Sequence, residues 1–176
     1  MATITLITGG ARSGKSRYAL SLAQAHRGSR AFIATAEPFD DEMQVRIRKH
    51  REERGVSFIT IEEPLELTRT IDSLPADVKI AIVDCLTVWL GNLLHYQRDT
   101  ADDYPEITRF VELLDRPPCD LIIVSNEVGM GIVPQNDTAR RFRDLCGQMN
   151  EHVAERSDRV ILMVCGIPIT VKGGKT

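Results

Sequence analysis

The residues with the clearest chemical purpose lie near the start of the chain. Gly9-Gly10-Ala11-Arg12-Ser13-Gly14-Lys15-Ser16 satisfies the spacing G-x-x-x-x-G-K-[ST], directly after the apolar run Ile4 to Thr8 and before a segment of helical pattern. In that setting glycines let the backbone close round phosphate oxygens, the following helix presents free N–H groups, and Lys15 neutralises β- and γ-phosphate charge. Ser16 supplies a hydroxyl to Mg2+. A phosphate-binding loop of this kind needs a second, carboxylate-bearing strand to hold the metal, and Asp84 ends the apolar run Ile80-Ala81-Ile82-Val83. Asp84 is therefore assigned to magnesium, directly or through water, and capping of the helix that follows is compatible with that role.

These residues need a scaffold that brings strand ends together. Short, continuously apolar runs read as strands at Ile4 to Thr8, Ala31 to Thr35, Lys79 to Asp84, Asp120 to Ser125 and Arg159 to Cys165. Helical patterns fill the gaps at Lys15 to Ala25, Asp41 to Glu53, Leu65 to Ser73, Thr87 to Tyr96, Tyr104 to Leu114 and Thr138 to Glu155. In the last of them Ala139, Phe142, Leu145, Cys146, Met149 and Val153 form one inward face. The alternation predicts an α/β fold, a mostly parallel sheet with helices on both faces, with the ligand at the edge where the strands end. Val56 to Ile61 reads equally as an edge strand or a loop.

At 176 residues the chain is expected to form one domain, 1–176. It contains no apolar run long enough to span a bilayer and no secretory signal pattern at its N-terminus, so a soluble, cytoplasmic protein is expected. The net charge of −3 gives no reason to expect nucleic acid as a partner. Arg140, Arg141 and Arg143 read as a solvated helix face. Cys85, Cys119, Cys146 and Cys165 lack any C-x-x-C pairing and read as small buried apolar residues.

Three segments make the chain resemble one family in particular. They are Thr8-Gly9-Gly10-Ala11-Arg12-Ser13-Gly14-Lys15-Ser16-Arg17; Ile33-Ala34-Thr35-Ala36 followed by Asp40-Asp41-Glu42-Met43, Arg46-Ile47 and His50; and Ser125-Asn126-Glu127-Val128-Gly129-Met130-Gly131-Ile132-Val133-Pro134. Together they resemble the bifunctional adenosylcobinamide kinase and adenosylcobinamide-phosphate guanylyltransferase of cobalamin biosynthesis, from Ile4 to about Ile169. The resemblance implies a RecA-like P-loop fold and a homo-oligomer, with a trimer expected. It implies ATP and GTP as substrates, adenosylcobinamide and its phosphate as acceptors, and a histidine that carries GMP.

The matching position for that histidine is His50, whose imidazole is nucleophilic at neutral pH. Some members place the reactive histidine one residue earlier, where this chain has Lys49, a competitor that would lie about 100° round a helix. The resemblance also implies nucleotide contacts at Ala34, Thr35 and Ala36, at Arg51, Glu52, Glu53 and Arg54, and at Glu62. Glu62 could accept from the N1 and N2 donors of guanine, or be an exposed loop carboxylate. Asn126 and Glu127, ending another strand, could orient substrate or a metal-bound water. Two other readings of the same motif remain. One is an ordinary P-loop small-molecule or nucleotide kinase without a covalent intermediate; the other is a nucleotide-dependent binding or assembly protein.

Overall fold

The computed structural model describes residues 2–37, 57–97 and 104–174. Seven strands form one sheet: β1 (Ile4–Gly9), β2 (Ser29–Ala34), β3 (Ile59–Glu62), β4 (Val78–Asp84), β5 (Asp120–Val124), β6 (Arg159–Val164) and β7 (Ile167–Lys172). Their spatial order is β3-β2-β4-β5-β1-β6-β7. The first six run parallel, and β7 alone is antiparallel, to β6.

Five helices are described: α1 (Lys15–Ala25), α2 (Leu67–Asp72), α3 (Leu86–Gln97), α4 (Pro105–Leu113) and α5 (Asp137–Arg156). Alternate strand residues feed two apolar layers, as the two-residue period of a strand requires. Leu6, Ile33, Val83 and Ile123 join Leu67, Trp89, Phe110 and Met149 from α2 to α5 on one face. Ile7, Phe32, Ile82 and Ile122 join Ala19, Leu20 and Ala23 of α1 on the other. Both faces are covered, which is why the strands read as unbroken apolar runs.

Helix starts follow local chemistry. Gly14 precedes α1 at φ 95°, Asn136 caps α5 by accepting from the Ala139 N–H, and Pro105 opens α4 where no amide donor is needed. The expected Asp41 to Glu53 helix lies outside the described residues. Of the segment Val56 to Ile61, the described part from residue 57 resolves towards the strand reading, since Ile59–Glu62 pairs with β2 as the edge of the sheet.

Two expectations need correction. The pattern ended at Cys165, yet β7 follows after a two-residue turn in which Cys165 and Gly166 have φ of 51° and 82°. Two successive positive φ values are the geometry of a tight hairpin whose twist matches its strands. Because β7 is exposed on both faces, no buried apolar run announced it. The same turn leaves Cys165 exposed, whereas Cys85, Cys119 and Cys146 are buried as expected.

Candidate active site

The loop between β1 and α1 is shaped by three residues with positive φ: Gly9 at 144°, Arg12 at 57° and Gly14 at 95°. Gly9 has no alternative, because a Cβ there would collide with the Met163 carbonyl on the neighbouring strand. A Cβ on Gly10 would meet nothing within 4 Å, so that glycine borders open space. Lys15 is buried and its Nζ donates to the carbonyls of Gly9 at 3.1 Å and Gly10 at 2.7 Å. The ammonium is thus held over the loop. Ser13 Oγ is buried and makes no hydrogen bond among the described residues, while the Ser13 carbonyl accepts from Gly166 N–H at 3.0 Å. The turn between β6 and β7 therefore braces the loop from below.

Sheet order brings the remaining strand ends alongside. One strand, β5, lies between β1 and β4, and Ile7, Val124 and Asp84 stand level across the three, as the β1–β5 and β4–β5 registers show. Asp84 is half-buried at the end of β4, level also with Ala34 of β2. The next residue, Cys85, is buried, and burial foremost, with the Asp84 carboxylate second, pushes its thiol up to about 12. Cys85 is consequently a neutral thiol at physiological pH and no nucleophile.

The sequence-derived nucleotide contacts divide. Gly9 to Ser16, Ala34, Thr35, Ala36 and Asp84 gather on the C-terminal edge of the sheet. Glu62, read as a loop residue, is the exposed last residue of β3, paired with Ala34 on that same edge. His50, Lys49 and Arg51, Glu52, Glu53 and Arg54 lie outside the described residues. The Thr35 side chain is fully buried and its hydroxyl is bonded on both sides to the backbone of Cys85, so it is turned into the protein. Nucleotide contact through the Thr35 hydroxyl does not fit this packing.

A second buried polar group went unread in the sequence. Thr87 Oγ1 lies 3.2 Å from Ser125 Oγ and accepts from the Asn126 N–H at 2.7 Å. Ser125 Oγ donates to Asn150 Oδ1 at 2.6 Å, and Asn150 Nδ2 donates to the Asn126 carbonyl at 3.1 Å. Glu127 N–H donates to the Gly9 carbonyl at 3.0 Å, tying this strand end to the phosphate loop. The available signal was a single polar residue among the inward positions of a helix, Asn150 one place after Met149, but its partners are far off in sequence. Arg140 is occupied locally by the Pro134 and Gln135 carbonyls and by Asp137, in keeping with a solvated helix face.

No group of three or more His, Cys, Asp or Glu side chains able to hold a metal occurs among the described residues. What the edge offers is oxygen, a hydroxyl at Ser16 and a carboxylate at Asp84. Such a donor set fits Mg2+, which keeps several waters and is completed by substrate phosphates rather than by an all-protein cage.

The model of the cobinamide kinase / cobinamide phosphate guanyltransferase family matches residues 5–171, almost the whole chain. The chain belongs to this family. The bifunctional adenosylcobalamin biosynthesis protein CobP of Pseudomonas aeruginosa is 43% identical over 168 residues, covering 96% of both chains. Its counterpart CobU of Salmonella typhimurium is 38% identical over 181 residues, covering 95% of this chain and 98% of the relative. Among solved structures the RadB recombinase superposes with a TM-score of 0.54 at 16% identity, over 91% of this chain and 73% of the recombinase. At that identity the likeness concerns the fold, a P-loop NTPase sheet. The cobinamide kinase and guanyltransferase family assignment thus agrees with a phosphate loop at the end of β1.

Proposed function

We infer that this protein phosphorylates adenosylcobinamide and then transfers GMP from GTP to adenosylcobinamide phosphate, giving adenosylcobinamide-GDP. The observation that carries the reading is a family match over residues 5–171 in a chain whose Lys15 ammonium is seated over the Gly9 and Gly10 carbonyls. In the kinase step the aminopropanol hydroxyl attacks the γ-phosphorus of a nucleoside triphosphate, the bond from γ-phosphorus to its bridging oxygen breaks, and the diphosphate leaves. In the second reaction an imidazole nitrogen of His50 attacks the α-phosphorus of GTP and pyrophosphate leaves. An oxygen of adenosylcobinamide phosphate then takes the GMP and the phosphorus–nitrogen bond breaks.

Lys15 and the N–H groups at the start of α1 bind the phosphates, and the Glu62 carboxylate accepts from the N1 and N2 donors of guanine. Ser16 and Asp84 would hold Mg2+, which would supply charge neutralisation at the phosphates. Residence in the cytoplasm is part of the same reading; among the described residues no helix is long and apolar enough to cross a membrane. A homo-oligomer, a trimer by family resemblance, would cover the apolar residues Ile167, Ile169 and Val171 that β7 exposes.

The covalent step separates this reading from that of an ordinary kinase. Incubation with GTP labelled at the α-phosphate is expected to label the protein through a bond labile in acid and persistent in alkali, as a phosphorus–nitrogen bond is. His50→Ala abolishes the label and spares nucleotide binding, whereas Lys49→Ala leaves the label largely intact. Label that survives in His50→Ala and disappears in Lys49→Ala assigns the nucleophile to the lysine. No label in the wild-type protein leaves only the kinase.

A further inference from the structure

We propose that Thr35 and Asn92 form a buried clamp that aims the Asp84 carboxylate at the metal, so that Thr35 serves the reaction as a positioning residue and not as a nucleotide contact. The inference rests on the reading of Asp84 as a magnesium ligand.

The clamp begins where the ladder between β2 and β4 stops, at the pair Ala34 and Asp84. One residue further on, the Thr35 hydroxyl continues the connection in place of the backbone. Thr35 Oγ1 donates to the Cys85 carbonyl at 2.8 Å and accepts from the Cys85 N–H at 2.8 Å. The Thr35 N–H in turn donates to the Asp84 carbonyl at 3.1 Å. The last member is Asn92, 3% exposed, whose Nδ2 donates to the Thr35 carbonyl at 2.8 Å and to the Pro64 carbonyl at 3.1 Å.

These bonds fix the Asp84 carbonyl and the Cys85 peptide that follows it, just before the chain turns into α3 at Leu86. Thr35 itself has no exposed surface, so a ligand reaches it only if the sheet edge opens. A carboxylate on a backbone held in this way meets a metal already oriented, and Thr35 reaches the metal through Asp84. Threonine suits the position because one hydroxyl both donates and accepts, while its methyl fills the buried space. Valine keeps the shape and loses both bonds; serine keeps the bonds.

The test measures binding rather than turnover. Mn2+, standing in for Mg2+, is titrated by electron paramagnetic resonance into protein saturated with a non-hydrolysable GTP analogue, and binding of a fluorescent GDP is measured separately in chelator. Loss of a residue that orients a metal ligand typically weakens the metal by about 10- to 100-fold. Thr35→Val is expected to weaken Mn2+ at least about tenfold with metal-free GDP binding unchanged, and Thr35→Ser to restore near-wild-type affinity. If Thr35→Val fails to fold, Asn92→Ala reaches Asp84 from the other end of the clamp and is expected to weaken Mn2+ in the same direction. Unchanged Mn2+ affinity in the folded variants overturns the proposal, as does an equal loss of metal-free GDP binding. Asp84→Asn separates the two layers of the argument: if it leaves Mn2+ binding intact, the reading of Asp84 itself is wrong. If it abolishes binding while Thr35→Val does not alter it, only the clamp is refuted.

Discussion

At the scale of single residues the decisive feature is the Lys15 ammonium seated over the phosphate loop. The Lys15 ammonium rests on two loop carbonyls, which are weaker partners than the phosphate oxygens that would replace them. Exchange of neutral acceptors for charged ones favours binding, and the charge remains where it develops in either reaction. On the proposed reading, in which both reactions draw on one triphosphate site, Lys15→Ala is expected to reduce kinase and guanylyltransferase rates together, by about 10²-fold or more. Steady-state assays with each triphosphate check this; a variant that loses one rate and keeps the other would show two separate nucleotide sites. Lys15 and its loop were legible because every residue involved is adjacent in sequence. Thr35 was legible only as a position at the correct edge, since the direction of its side chain depends on a strand 50 residues away.

At the scale of elements, the edge of the sheet opposite the phosphate loop has its own fastening. Asp120, which opens β5, accepts from the Thr3 N–H at 2.7 Å and lies 3.0 Å from His26 Nε2, just past the end of α1. Burial pushes the Asp120 carboxyl up, but the Thr3 N–H and the His26 imidazole outweigh it, leaving the group below its ordinary value. A depressed carboxylate contributes stability that is present above its unfolded value and is lost as pH falls through its folded value. Asp120→Asn is therefore expected to lower Tm at neutral pH, with the difference closing as pH falls through the lowered folded-state value of the carboxyl. Thermal melts of both proteins across that range decide it, and a difference that is independent of pH would mean that the charge contributes nothing. Element positions were predicted closely wherever an apolar run or helical face was long. The strand β7 escaped because its pairing needs only a tight turn and an open edge of β6, neither of which leaves a hydrophobic period.

At the scale of the whole molecule, β7 leaves an apolar face that no other described residue covers. Ile167, Ile169 and Val171 are 63%, 48% and 65% exposed, all on one face of an edge strand. Unprotected apolar edges promote association, and proteins that remain soluble cover them. The turn that leads into β7 also donates the Gly166 hydrogen bond to Ser13, so the edge strand and the phosphate loop are mechanically joined. A charge on that face is expected to disperse the proposed oligomer and reduce activity: Ile169→Lys should sediment as a smaller species than the wild-type protein. A wild-type protein that sediments as a fully active monomer at assay concentration would remove the assembly argument.

The sequence by itself determined whatever depends on neighbours along the chain. The phosphate loop, its strand and helix, the alternation that makes a parallel sheet, and the family resemblance all rest on local spacing, because a loop that closes round phosphate needs its glycines, lysine and serine in fixed succession. Tertiary structure decided what depends on strand order. Only the placing of β5 between β1 and β4 sets Asn126 and Glu127 between the phosphate loop and Asp84. Only the pairing of β2 with β4 turns the Thr35 hydroxyl onto Cys85, and only the packing of α3 brings Asn92 to the Thr35 carbonyl, 57 residues apart. A buried polar group must find its partner in three dimensions, and its one-dimensional neighbours carry no record of which partner that is.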